Sequence, residues 1–294
     1  MVRINKKDEI KPKIILDYDG YVAKGYYTAI GKDEYSGFED CYSIMHNLER
    51  YAMRRATEFF NKPAKDIEVY RVISGHTFKK DFYPSYKATR KDDQGFGEFR
   101  DDVIANMMDD LVMVPNLEAD DVCTIVNWFE PDTSIVFSDD KDLHKYCLTC
   151  CKLNDKFEIQ VQDKEDVVKA QLIQMLTGDR TDNIIGIPGV GEKTGQKLLD
   201  NLGYDLDMVI NIYRNRQIEP DICMRDLILV NPLVPDYVSD IDPVYEIYLD
   251  IVNRRVARMQ YVYEHISNVM KFFRDRIRSI YYEQTEEINQ TDNQ

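Results

Sequence analysis

The chain has 294 residues, 44% hydrophobic and 31% charged, with a formal net charge of −15, a balance that fits a globular chain with one large core and a smaller satellite. No apolar run approaches the roughly 18 residues that a membrane span needs, the N-terminus lacks the apolar stretch of a secretory signal, and six irregularly spaced cysteines do not make a disulfide framework, so no membrane partner is expected and the cytoplasm is the expected compartment. The negative charge excludes a uniformly basic nucleic-acid binder but not a local basic surface beside an acidic pocket, because the placement of charges governs phosphate binding.

In chain order, K-I-I-L-D at Lys13–Asp17 is a short apolar run ending in an acid and is predicted to be a buried strand. Phe38–Phe60 carries apolar residues at helical spacing without Pro or Gly and is predicted to be a helix. Residues 68–73 are β-branched and predict a second strand, and residues 78–110 are basic, aromatic and glycine-interrupted, as an insertion would be. A helix over Ala119–Phe129 and strands over Ser134–Phe137 and 157–161 continue a β-α-β alternation, which implies a mainly parallel sheet covered by helices. Beyond Asp163 the pattern turns helical, at 165–176, Glu192–Leu202 and 205–215. Residues 243–278 form a long amphipathic stretch with Arg254, Arg255, Arg258, Lys271, Arg274, Arg276 and Arg278, and the polar tail 283–294 is expected to be disordered.

Acids gather at the ends of these elements. Asp17 closes the first strand, and Asp139, Asp140 and Asp142 follow the strand S-I-V-F. Glu118, Asp120 and Asp121 open a helix, and Asp179 and Asp182 follow the segment ending in L-T-G. Acids at a helix start also serve as caps, but four clusters at element ends point to a shared pocket at the carboxyl edge of a sheet. So dense a group of carboxylates needs compensating cations, and hard oxygen donors select Mg²⁺ or Mn²⁺ over zinc. Two such ions suit in-line hydrolysis of a phosphodiester.

The string G-I-P-G-V-G-E-K-T at 186–194 lies between two helical stretches. Its glycines allow close backbone approach, the helix after it offers free N–H groups to a phosphate, and Lys193 and Lys197 add positive charge. It resembles the helix–hairpin–helix element, which grips a nucleic-acid backbone without reading bases. C-L-T-C-C at 147–151 holds one CxxC without a second pair, so buried free thiols are expected rather than a zinc site.

Together these motifs resemble the 5′-nuclease superfamily, in particular phage-type flap endonucleases (the phage enzyme called ribonuclease H among them) and bacterial 5′→3′ exonuclease domains. The resemblance runs from about residue 13 to 203 through L-E-A-D-D at 117–121, S-D-D-K-D-L at 138–143 and G-D-R-T-D-N-I-I-G-I-P-G-V-G-E-K-T at 178–194. It implies an α/β fold with a mainly parallel central sheet flanked by helices, a PIN-like nuclease core at 13–162. A helical arch at about 78–112 and a helix–hairpin–helix region at 163–282 would complete it. It implies that Asp17, Glu118, Asp120 and Asp140 hold the catalytic ion, while Asp121, Asp142, Asp179 and Asp182 hold or orient a second. Asp19-Gly20 competes with Asp17 for the first-strand register, because Tyr18 stands where the family has Gly.

By the match of F-K-K-D-F-Y-P-S-Y-K-A-T-R at 78–90 to the base of the arch, Lys87 and Arg90 would contact the scissile phosphate and Tyr86 would stack a terminal base. Gly189, Gly191, Lys193, Thr194 and Lys197 would hold the duplex, with K⁺ bound by carbonyls near Ile187 and Val190. The pattern departs from the family on the second strand, where Ile73-Ser74-Gly75 offers no aspartate. The implied task is removal of primers and flaps from DNA and RNA–DNA in phage replication, by a monomer in the host cytoplasm, with a basic single-strand-binding protein as a candidate partner. A catalytically weak DNA-binding protein of the same fold and a PIN-type ribonuclease are the alternatives.

Overall fold

The computed structural model describes residues 11–32, 34–153, 158–230, 242–253 and 259–291. The chain divides into two compact units, residues 1–75 with 92–162 and residues 76–91 with 163–294. The segment expected as an arch is therefore shared out, its first part belonging to the second unit and the rest to the first. In chain order the helices are α1 (Tyr18–Ile30), α2 (Phe38–Phe60), α3 (Phe78–Phe82), α4 (Gln94–Met107), α5 (Ala119–Phe129), α6 (Leu143–Tyr146), α7 (Lys164–Thr177), α8 (Glu192–Leu202), α9 (Leu206–Asn215), α10 (Pro220–Val230), α11 (Asp242–Val252) and α12 (Met259–Thr291).

The first unit is built on six strands, β1 (Lys13–Asp17), β2 (Glu68–Val72), β3 (Leu111–Val112), β4 (Ser134–Phe137), β5 (Thr149–Cys151) and β6 (Ile159–Val161). Their order is β3-β2-β1-β4-β5-β6, parallel throughout except for antiparallel β5–β6. β1 is central, with Ile14 opposite Val69 and Ile135, and Leu16 opposite Arg71 and Phe137. A strand paired on both sides and covered on both faces reads as an unbroken apolar run, and every residue of β1 is buried. Burying Ile14, Ile15 and Leu16 contributes roughly 1.5–3 kcal/mol each. α2 ends at Phe60 because Asn61 turns into the left-handed region at φ 51°, a conformation that asparagine tolerates better than most residues.

Strand order reverses at β1, since β2 and β4 lie on opposite sides of it, so the carboxyl ends of β1 and β4 flank the switch point where open α/β sheets bind ligands. At the opposite edge, Lys13 and Glu130 form a buried ion pair. β3 and β5, of two and three residues, are too short to show the alternation that marks a strand in sequence.

In the second unit, α7 and α8 stand on either side of the loop that carries the glycine string begun at Gly186. α7 stops at Gly178, φ +68°, where a Cβ would lie 2.4 Å from the Ile184 carbonyl oxygen. A Cβ on Gly186, φ +64°, would lie 2.4 Å from Gly178 N. The two glycines let the turn fold flat against itself. Leu176, Leu199, Val209, Ile210, Tyr213, Leu227, Phe273 and Ile277 are buried, each no more than 2% exposed, and close the apolar faces of α7 to α10 and α12. Helix α12 runs on to Thr291, so the disorder expected from residue 283 is not found over 283–291. Of the basic residues placed on this stretch, Arg254, Arg255 and Arg258 lie outside the described residues, while Lys271, Arg274, Arg276 and Arg278 are exposed on α12.

Candidate active site

Asp17 is the last residue of β1 and also the N-cap of α1. Its carboxylate accepts hydrogen bonds from Ser138 Oγ at 2.5 Å and Gly20 N–H at 3.4 Å. Ser138, the first residue after β4, also accepts the Asp140 N–H at 2.9 Å, and Asp140 Oδ1 accepts the Asp142 N–H at 2.7 Å. One hydroxyl thus joins the acid at the end of β1 to the acids after β4. Asp17 is 8% exposed; burial first, then the neighbouring Asp19 and Asp140 charges, push its pKa up to about 7 against the pull of the Ser138 bond. No Lys or Arg among the described residues forms an ion pair with it.

Asp19, the alternative register, has a different occupation. Its carboxylate accepts Arg100 Nε at 3.0 Å and the Ser74 N–H at 2.8 Å. Arg100 Nη2 also donates to the Ser74 carbonyl, and Ser74 Oγ accepts the Ala119 N–H at 2.8 Å. A cation from α4 therefore stands beside Ser74, in the stretch where the resemblance implies an acid. Asp139 accepts Lys24 Nζ at 2.5 Å and the Leu153 N–H at 2.9 Å, and His144 Nε2 lies 2.8 Å from the Ser138 carbonyl oxygen.

At the start of α5, Glu118 is 5% exposed and Asp121 is fully buried. Asp121 Oδ2 accepts the Glu118 N–H at 3.1 Å, which gives this acid a capping role, while Asp120 is only partly buried. Among the described residues, no group of three or more Asp, Glu, His or Cys side chains is arranged to hold a metal ion as it stands. All six cysteines are free and buried, as the isolated CxxC implied, and burial raises the thiol pKa of Cys147, Cys150 and Cys123.

In the second unit, Asp179 is 8% exposed and its Oδ1 accepts the Thr181 N–H at 2.7 Å. Asp182 is tied to the basic segment: Arg90 Nη2 donates to Oδ1 at 2.6 Å, Tyr86 Oη to Oδ2 at 3.2 Å, and Lys87 Nζ lies 3.7 Å away. The Lys87 N–H donates to the Asp182 carbonyl at 3.1 Å, and Asn183 Nδ2 to the Ser85 carbonyl at 2.9 Å. Lys87 sits at φ +56°, a conformation that persists in a non-glycine residue only where the surroundings hold it. The stacking role expected for Tyr86 does not fit: the residue is 2% exposed, its hydroxyl bound to Asp182, and no ring face is open to a base. Gly189, Gly191, Lys193, Thr194 and Lys197 are all exposed at the hairpin tip and the start of α8. Gly195 is buried beneath them against Thr177 and Ile173 of α7.

Sequence reasoning missed Ser138 and Arg100. The serine of S-D-D-K-D-L signals itself only weakly, and nothing in the sequence pairs Arg100 with Asp19, 81 positions away.

No protein-family model matches the chain. A DNA polymerase I of Rhizobium leguminosarum is 33% identical over 175 residues, covering 54% of this chain and 17% of that protein. A 5′-3′ exonuclease of Buchnera aphidicola is 25% identical over 223 residues, covering 69% of this chain and 74% of that protein. This chain therefore corresponds to about a sixth of the polymerase and most of the exonuclease. Among solved structures, a bacteriophage T5 protein crystallised with metal ions superposes with TM-score 0.55 at 17% identity, over 91% of this chain and 98% of that one. A T5 flap endonuclease variant in complex with DNA and metal ions gives TM-score 0.54 at 16% identity, over 92% and 98%. The fold is the one expected, a mostly parallel sheet with flanking helices, and it is similar to that of the T5 proteins.

Proposed function

We propose that the chain is a divalent-metal-dependent, structure-specific 5′-nuclease that hydrolyses phosphodiesters at 5′ flaps and ends of DNA and RNA–DNA, in primer and flap removal during phage replication. The observation that carries this reading is Asp17, a buried carboxyl at the switch point of the sheet, bonded through Ser138 to the loop of Asp140 and lacking any cationic partner among the described residues. A buried acid so placed is stable in charged form only beside a cation, and the neighbouring acids Asp19 and Asp140 offer carboxylate oxygens, hard donors that fit Mg²⁺ or Mn²⁺. The relatives support it: one is a 5′-3′ exonuclease and another was solved with DNA and metal ions.

Asp17, Glu118, Asp120 and Asp140 would hold the first ion. Asp142, Asp179 and Asp182 are assigned to a second on the motif match, and Asp121 to orienting Glu118 through its cap. A bound divalent ion supplies Lewis acidity and a water of lowered pKa. Ser138 holds Asp17 in place and fixes the loop that presents Asp140. Lys87 and Arg90, paired with Asp182 in the free protein, would turn to the scissile phosphate and offset its developing charge. Gly189, Gly191, Lys193, Thr194 and Lys197 would hold the backbone of the duplex, with K⁺ at the carbonyls near Ile187 and Val190.

A 5′-labelled flapped duplex and a single-stranded control, each with Mg²⁺, with EDTA and with Asp120→Ala, test the reading. Cleavage near the junction that needs Mg²⁺ and is lost in the variant is expected. The second reading, a weakly catalytic flap-binding protein, is favoured by Arg100 standing beside Ser74 in place of an acid. Tight flap binding without cleavage in Mg²⁺ or Mn²⁺ would establish it.

A further inference from the structure

Helix α10 carries an acid that none of the motifs explains. Asp226 is fully buried and is bonded on every side. Arg225 Nε and Nη2 donate to its Oδ1 at 2.8 and 2.6 Å, Tyr213 Oη lies 3.4 Å from Oδ2, and the Gly186 N–H also hydrogen-bonds the carboxylate. Gly186 is the left-handed glycine whose backbone presses on Gly178 and Thr177, so Asp226 anchors the acidic loop 178–187 from beneath. The Arg225 guanidinium in turn lies 5.0 Å from the centroid of the Tyr83 ring. The Tyr83 carbonyl accepts the Tyr86 N–H at 2.8 Å, and Tyr86 and Lys87 return to Asp182 in the same loop. The contacts close a circuit: loop, Asp226, Arg225, Tyr83, basic segment, loop.

The geometry points to Arg225, with Asp226 and Tyr83, as a positioning strut that sets the segment bearing Lys87 and Arg90 in register with the 178–187 loop. Its functional consequence rests on the nuclease reading above. A planar guanidinium suits the task, since it can fork onto a carboxylate and lie over an aromatic ring at once. The strut also explains how Lys87 is kept at φ +56°, because a strained residue relaxes when its surroundings are loosened. Arg225 touches neither substrate nor metal, so its role is to place Lys87 and Arg90.

The test uses the full chain with Arg225→Ala, Tyr83→Ala, Tyr83→Phe and the double alanine variant. Hydrogen exchange in EDTA is expected to rise in residues 83–90 for Arg225→Ala and in residues 178–187 for Tyr83→Ala, while Tyr83→Phe, which keeps the ring, matches wild type. On a flapped duplex, kcat is expected to fall on the order of tenfold or more in each alanine variant with KM unchanged, as misplacement of catalytic groups does, and the double variant to be no worse than either. Unchanged exchange in 83–90 for Arg225→Ala, additive losses, or a rise in KM alone would overturn the strut. Should Arg225→Ala fail to fold, Tyr83→Ala carries the test, because it leaves the buried ion pair intact. A wild type that does not cleave flaps removes the nuclease reading, and the exchange measurements then decide the strut alone.

Discussion

Replacing Asp17 by asparagine should make the metal-free protein more stable at pH 8, against the usual outcome of altering a buried polar residue. Burial pushes the carboxyl up to about 7 from its ordinary 3.8. Between those values the native state holds a proton that the unfolded chain has released. Stability of the metal-free protein therefore falls as pH rises through this window and levels off above about 7. At about 1.36 kcal/mol per unit, the loss attributable to this group has a ceiling of about 4 kcal/mol. Asparagine keeps the shape and can still meet the Ser138 hydroxyl, but carries no charge.

The assay is urea unfolding in EDTA at pH 5, 6, 7 and 8 for wild type and Asp17→Asn, read as the difference between them so that other titrating groups cancel. That difference should favour the variant increasingly from pH 5 to 8. Addition of Mg²⁺ or Mn²⁺ at pH 8 should stabilise wild type and leave the variant nearly unmoved. A difference that is flat with pH, or a variant equally destabilised at every pH, would refute the argument that Asp17 is a buried charge awaiting a cation.

Gly186→Ala should destabilise the second unit by about 1–3 kcal/mol or more, because its Cβ would meet Gly178 N and Thr177 C at 2.4 Å in a left-handed backbone; chemical denaturation measures this, and an unchanged midpoint would contradict the packing. Lys87→Ala and Arg90→Ala should each lower kcat on a flapped duplex by on the order of 10²-fold with duplex affinity little changed. A loss confined to affinity would place both side chains in grip rather than in chemistry.

Much of this protein is legible before any fold is known. Strands Lys13–Asp17 and Ser134–Phe137 and helices Phe38–Phe60, Ala119–Phe129 and Glu192–Leu202 stand at the boundaries that pattern alone predicts. Each is a continuous buried run or a long period bounded by a breaker or a run of acids, so local physics suffices. The acids at element ends are legible for the same reason, because a parallel sheet puts every strand's carboxyl end at one edge. Sequence did not distinguish among those acids. Tertiary structure occupies Asp19 with Arg100 and Ser74, Asp139 with Lys24, and Asp121 with its own helix cap, and it leaves Asp17 buried with no cation among the described residues. It also buries Tyr86, for which the match of residues 78–90 to the family's arch base implied a stacking role, and runs α12 on to Thr291 through residues whose polarity suggested disorder. Residue type and spacing state which groups are available for chemistry; which are already consumed by hydrogen bonds and ion pairs depends on partners tens of positions away. Those partners meet only once the chain has folded.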